Sequence, residues 1–293
     1  MEIKNNILKH YLRNCYFITG TAYAGKSTMC KMLAEKYGMI HCEENYNMDT
    51  ILSVVNQEDQ PNLNYFNTKI DWKEYVNRTA DEFEKWFYST SDEVTGFEIA
   101  ELIKLSANGK VIIDTNIPCE VLKEITDYDH VAVMLAPQEM SVERFFDRED
   151  EEKQFLLSVI ESCPDPEKSL ANFKECISRV NSRKYYDKYQ NSGFFTVVRS
   201  DTEADTREET LEMVAKHFGL DREEESVEVF KVGIFHAEWN KLIDYANNCS
   251  WIAGPHLAEM MERNSFAEWE SVFAAVSGNE IVGFCKFSLV NVV

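Results

Sequence analysis

No stretch of this 293-residue chain approaches the roughly 18 uninterrupted apolar residues that a membrane-spanning helix needs, so no membrane partner is expected. The first twenty residues, MEIKNNILKHYLRNCYFITG, lack a signal-peptide layout, because their apolar stretch runs straight into a glycine loop. Both absences read as a soluble, cytoplasmic protein. The eight cysteines (Cys15, Cys30, Cys42, Cys119, Cys163, Cys176, Cys249 and Cys285) include no C-x-x-C pair, which removes the common zinc and redox spacings. Most sit beside apolar residues, as reduced core thiols do. Basic residues are scarce: 30 Lys and Arg stand against 51 Asp and Glu, a formal charge of −21. Such an excess repels a polyanion over a Debye length of about 8 Å, so nucleic acid is not an expected partner. Internal repeats and low-complexity tracts are also missing.

What is present is apolar material for one large core or two ordinary ones, at 44% hydrophobic and 12% aromatic residues. Apolar runs at residues 16–19, 39–42, 111–113, 131–135 and 194–198 read as strands separated by helical patterns, one of them over residues 26–37 and closed by Gly38. Parallel neighbours need crossover connections, so alternating strands and helices predict an α/β fold, a parallel sheet with helices on both faces. Residues 71–88 and 92–107 read as two further helices, and residues 211–218 as the last of this part. An acidic, polar stretch then places a domain boundary at residues 220–226, dividing the chain into 1–220 and 221–293.

Residues Gly20-Thr21-Ala22-Tyr23-Ala24-Gly25-Lys26-Ser27 satisfy G-x-x-x-x-G-K-[ST] at every fixed position, between a predicted strand and a predicted helix. The glycines let the chain curl so that successive N–H groups turn toward phosphate oxygens, and the helix that follows adds its positive end. Lys26 supplies an ammonium for the outer phosphates of ATP, expected to be exposed when the loop is empty. Ser27 offers a hydroxyl to Mg2+, and Thr28 falls on the helix near the phosphates.

With this loop, Asp114 at a strand end and an arginine-bearing segment after the fourth strand, residues 14–220 resemble the P-loop kinases of small metabolites, the shikimate-kinase and nucleoside-monophosphate-kinase group. The resemblance implies a P-loop NTPase sheet of five parallel strands, a mobile lid and an acceptor-binding region. It casts Gly20, Gly25, Lys26 and Ser27 as the ATP loop, and Asp114 as the carboxylate that holds a magnesium water or orients the nucleophile. It reads Ser141 to Asp150, SVERFFDRED, as the lid, with Arg144 and Arg148 over the phosphates. Arg183, or Arg179, is a candidate to reach them from the side. Shikimate-kinase-like members often carry D-x-D after the second strand; here the stretch is Glu43-Glu44-Asn45, which argues against shikimate and leaves Glu43 as first candidate for magnesium-linked water or the acceptor. The acceptor belongs over residues 45–96, where Tyr46, Tyr65, Phe66, Trp72, Tyr75, Trp86 and Tyr88 either line a pocket or pack as core.

Residues 227–290 read as β-α-α-β-β, a small α+β half-domain with a hairpin turning at Gly278-Asn279. With Glu280-Ile281-Val282-Gly283-Phe284-Cys285 this order resembles the first half of a GNAT N-acetyltransferase. The Q/R-x-x-G-x-G/A turn that grips coenzyme A in that family has no counterpart, so the segment is expected to serve packing or a homodimer, or to be part of a bifunctional protein. The leading expectation is an ATP-dependent phosphotransferase acting on a small-molecule acceptor. A regulatory ATP-binding module with little turnover is the alternative.

Overall fold

Strand β1 (Cys15–Gly20) is buried along its whole length at the centre of the first sheet. Preceding it is α1 (Asn5–Tyr11), a short helix the apolar pattern did not reveal. After β1 come α2 (Lys26–Tyr37), β2 (Ile40–Cys42), α3 (Met48–Leu52), α4 (Trp72–Val76), α5 (Ala80–Ser106), β3 (Val111–Asp114), α6 (Cys119–Ile125) and β4 (Val131–Leu135). Then follow α7 (Gln138–Glu143), α8 (Glu151–Glu161), α9 (Pro166–Val180), α10 (Arg183–Gln190), β5 (Phe195–Val198) and α11 (Arg207–His217). The computed structural model describes residues 3–143, 145–146, 151–199, 205–221 and 227–288. The chain divides into two compact units, Met1–Arg222 and Glu223–Val293.

In the first unit the five strands are all parallel, in the order β2-β3-β1-β4-β5. Alternation along the strands assigns residues to the two layers of helices. Tyr16, Ile18, Ile112 and Met134 face a core shared with Met29 and Leu33 of α2 and Val214 of α11. Cys15, Phe17, Val111 and Ile113 face the opposite core, with Leu102 of α5 and Leu122 and Ile125 of α6. A strand covered on both faces has no polar side to show, which is why these segments are nearly continuous apolar runs. Because β1 lies between β3 and β4, the connections diverge at its carboxyl end and leave a crevice there, the usual place for a ligand in an open α/β sheet.

One helix boundary differs from expectation. The first long helix does not run through residues 71–88 but breaks after Val76, and α5 is a single 27-residue helix reaching Ser106. Thr79 explains the new start: its hydroxyl accepts from Glu82 N while the Glu82 side chain accepts from Thr79 N, a reciprocal cap. Residues 89–92 do not interrupt the helix, and the hydroxyls near them are satisfied within it, Thr90 Oγ1 donating to Trp86 O and Thr95 Oγ1 to Ser91 O. Among the described residues no helix is long and apolar enough to cross a membrane. Six of the eight cysteines are buried free thiols, while Cys249 is half-buried and Cys285 exposed.

The second unit holds β6 (Val227–Val232), α12 (Trp239–Asn247), α13 (Ala253–Glu262), β7 (Glu270–Ser277) and β8 (Glu280–Ser288). Its strands form an antiparallel sheet in the order β6-β7-β8. Trp239 and Leu242 of α12 and Leu257 and Met261 of α13 cover one face, packing on Val232, Val272 and Ala274. The fold is therefore α/β, with a five-stranded parallel sheet in one unit and a β-α-α-β-β arrangement in the other.

Candidate functional site

The turn between β1 and α2 combines three left-handed backbone positions, Gly20 (φ 133°), Tyr23 (φ 65°) and Gly25 (φ 89°). At Gly20 the requirement is also steric, since a Cβ there would sit 1.9 Å from Met134 O. The loop is tied to β4 by Thr21, whose N–H donates to Met134 O at 3.0 Å and whose hydroxyl accepts from Ala136 N at 2.8 Å. Arg199, just past β5, donates from Nη1 to Tyr23 O at 2.8 Å and so holds the strained residue from the other side. Gly25 caps α2 without a side chain, so no side-chain oxygen competes for the N–H groups at the start of that helix.

Beneath the loop lies Asp114, the last residue of β3 and 1% exposed. Ser27 Oγ donates to its Oδ2 at 2.6 Å, and Lys26 Nζ stands 3.7 Å from its Oδ1. That Oδ1 is buried and receives no hydrogen bond among the described residues. Burial raises the Asp114 pKa, the Lys26 ammonium opposes the shift, and the Glu44 carboxylate adds to it. Lys26 is not exposed as expected: its side chain is 10% accessible, because the buried carboxylate draws it down against the loop.

A cavity of about 870 Å³ opens from the loop. Gly20, Thr21, Ala22, Tyr23, Gly25, Lys26, Ser27 and Thr28 line one end. Ala24 does not line it and is buried. Glu43 is exposed and does not line the cavity; its neighbour Glu44 does, and accepts from Asn116 Nδ2 at 2.7 Å. Both glutamates lie in the turn after β2, which Tyr46 N closes on Glu43 O at 3.0 Å and where Asn45 takes a left-handed conformation. Arg183 is turned away, its Nε 2.7 Å from Asp187 and its guanidinium over the Tyr186 ring, while Arg179 pairs with Asp81 at 2.6 Å. Neither lines the cavity. Arg144 and Arg148 lie outside the described residues.

The aromatic insertion divides between the two roles open to it. Tyr75, Phe87 and Tyr88 line the cavity together with Phe83. Trp86 instead packs among Tyr65, Phe66 and Tyr75, its Nε1 donating to Asn62 O at 3.2 Å, and Trp72 packs on Phe155 and Tyr75.

Two features escaped the sequence reading. Glu98, within α5, accepts from Thr115 Oγ1 at 3.1 Å, and its carboxyl is raised to about 7 by burial, with Glu44 and Asp114 adding to the shift. Nothing in a helix rich in acids distinguishes it. The second is α10, which presents Lys184, Tyr185, Lys188 and Tyr189 to the cavity. The repeated Lys-Tyr pair at i, i+4 was the available signal.

Among the described residues no cluster of three or more His, Cys, Asp or Glu could hold a metal ion. The loop instead offers one hydroxyl and one carboxylate whose Oδ1 receives no hydrogen bond and faces only the Lys26 ammonium at 3.7 Å, a donor set that fits Mg2+, which keeps several waters and takes few protein ligands.

No protein-family profile matches this sequence. No curated protein matches it either. Among solved structures, the shikimate kinase from Acinetobacter baumannii in complex with shikimate is similar at 14% identity and a TM-score of 0.37, over 71% of this chain and 95% of that one. The dephospho-CoA kinase from Campylobacter jejuni is similar at 14% identity and a TM-score of 0.34, over 71% of this chain and 99% of that one. At this identity and score neither lends the chain its reaction, and the fold rests on the strand order and register above.

Proposed function

We propose that the first unit is an ATP-dependent phosphotransferase that moves the γ-phosphoryl group to a small-molecule acceptor. The observation that carries this reading is the contact of Ser27 and Lys26 with the two oxygens of buried Asp114, at the mouth of a cavity far larger than a phosphate. The loop N–H groups and Lys26 would bind the triphosphate, and charge building on the transferring group would be met by the ammonium and the helix end. Ser27 and Asp114 would hold Mg2+ through its waters; the ion, when bound, screens the phosphate charges. Glu44, in place of Glu43, is positioned to accept the proton of the attacking hydroxyl, with Asn116 fixing its orientation. The acceptor oxygen would form a bond to Pγ as the bond from Pγ to the bridging oxygen breaks, and that electron pair would depart with ADP.

The test is a thermal-shift titration with Mg·ATP, followed by transfer of γ-labelled phosphate to a mixed library of small hydroxyl compounds. A rise in melting temperature and labelled product, both lost in Lys26→Met, are expected. No shift at saturating Mg·ATP sinks the proposal.

A further inference from the structure

Beyond the phosphate loop the cavity changes character. Its far wall is built from rings: Phe83 meets Phe173 edge-on at 5.7 Å, Phe145 meets Phe173 at 5.9 Å, and Phe87 stacks on Phe83 at 6.3 Å. Ile177 and Leu156 complete it. These residues come from α5, α8, α9 and the segment after α7; Phe83 and Phe173 are buried in the helical core behind the wall, and the half-buried Phe87, Phe145 and Leu156 are the apolar side chains that reach the cavity.

Several polar groups along this chamber already have partners. Tyr88 Oη donates to Val180 O at 2.8 Å, and Ser91 Oγ to Asn116 O at 3.1 Å. Of the cations, Lys184 lies 3.3 Å from Glu84, Lys188 lies 3.4 Å from Glu120, and Lys153 lies over the Phe145 ring. Among the described residues no arginine lines the cavity, while Glu44 and Asp92 do. An anionic acceptor needs converging cations, above all arginine, whose fork matches carboxylate and phosphate. Here it would meet Glu44 and Asp92, a ring-lined wall, and beyond Lys26 only lysines that already face a carboxylate or a ring. An uncharged body loses nothing by entering and gains apolar burial.

We infer that the acceptor is a neutral alcohol carrying an aromatic or branched apolar body, seated against Phe87, Phe145 and Leu156 with its hydroxyl directed to Ser27 and Glu44. This inference rests on the phosphotransferase reading. The hydroxyl oxygen forms a bond to Pγ, the bond from Pγ to the bridging oxygen breaks, ADP leaves with the electron pair, and the proton passes to Glu44. The product is a phosphate monoester.

Two measurements on the full chain test it. The first is a fluorescence titration with N-phenyl-1-naphthylamine, a neutral apolar probe whose emission rises in dry sites. Saturable binding is expected, weakened at least tenfold by Phe87→Asp; Phe145→Asn serves if the first variant loses its cooperative melting transition. The second is transfer of labelled phosphate to 3-phenylpropanol and geraniol, compared with shikimate, ribose 5-phosphate and AMP. At least tenfold preference for the neutral pair supports the inference. Transfer confined to the anionic compounds overturns it and leaves the phosphotransferase standing, and this arm also reads any contribution from Arg144 and Arg148. Absence of saturable probe binding overturns it as well. Probe binding with no transfer to any compound overturns the phosphotransferase reading, and the inference with it.

Discussion

Ser27 Oγ and Asp114 Oδ2 are 2.6 Å apart, although 87 positions separate the residues in sequence. The parallel pairing of β1 with β3, with Ile18 opposite Asp114, brings the loop after one strand over the end of the other. Lys26 completes the group from the opposite side of the carboxylate.

Lys26 therefore has two roles that a pair of variants separates. Lys26→Met leaves a buried carboxylate without its countercharge and is expected to cost roughly 2 kcal/mol of stability, moderated because Asp114 can take up a proton. Adding Asp114→Asn is expected to restore most of the denaturation midpoint while ATP affinity stays lost. Recovery of ATP binding in the double variant would contradict the phosphate role.

Gly20→Ala is expected to fail at the level of folding rather than binding. The added methyl would meet the Met134 carbonyl, a backbone atom of a central strand that cannot step aside, and the left-handed φ adds its own strain. A loss of roughly 4 kcal/mol or more, seen in urea denaturation or as insoluble product, is the expected outcome.

Glu98 predicts a pH dependence of stability. In the folded chain its carboxyl is raised from 4.5 to about 7, so between those values the native state holds a proton that the unfolded chain has released. Stability from this group therefore falls as pH rises from about 4.5 to 7 and is level above that. Glu98→Gln keeps an acceptor for Thr115 and removes the cost of ionisation. It is expected to exceed the parent by on the order of 3 kcal/mol at pH 8 and to match it at pH 4. Equal denaturation midpoints at both pH values would contradict the buried-carboxyl account.

Arg199 acts on the loop from outside the motif. Its guanidinium holds the carbonyl of Tyr23, a residue with a side chain in a conformation that favours glycine. Arg199→Ala is expected to weaken Mg·ATP about tenfold in a calorimetric titration, because a loop no longer held must be ordered by the ligand. Unchanged affinity would show that Thr21 alone anchors the turn.

The glycine-spaced turn after β1, the alternation of strand and helix and the β-α-α-β-β order of the last 70 or so residues were legible because each is written in local signals: fixed glycine spacing, short continuous apolar runs and helix-closing residues. The Thr79-x-x-Glu82 cap is equally local and marks the start of α5, which apolar spacing alone divides at residues 89–91. The site beyond the loop was not legible, since proximity there comes from strand register and helix packing. Which of Glu43 and Glu44 lines the cavity is set by the turn after β2, and the burial that holds a proton on Glu98 depends on the packing of α5 against the end of β3. The sequence by itself determined that a glycine-spaced turn joins β1 to α2 and where the chain divides between strands and helices. Only the tertiary structure decided which carboxylate lies beneath that turn and which rings face the cavity, because burial and charge coupling are properties of neighbours in space.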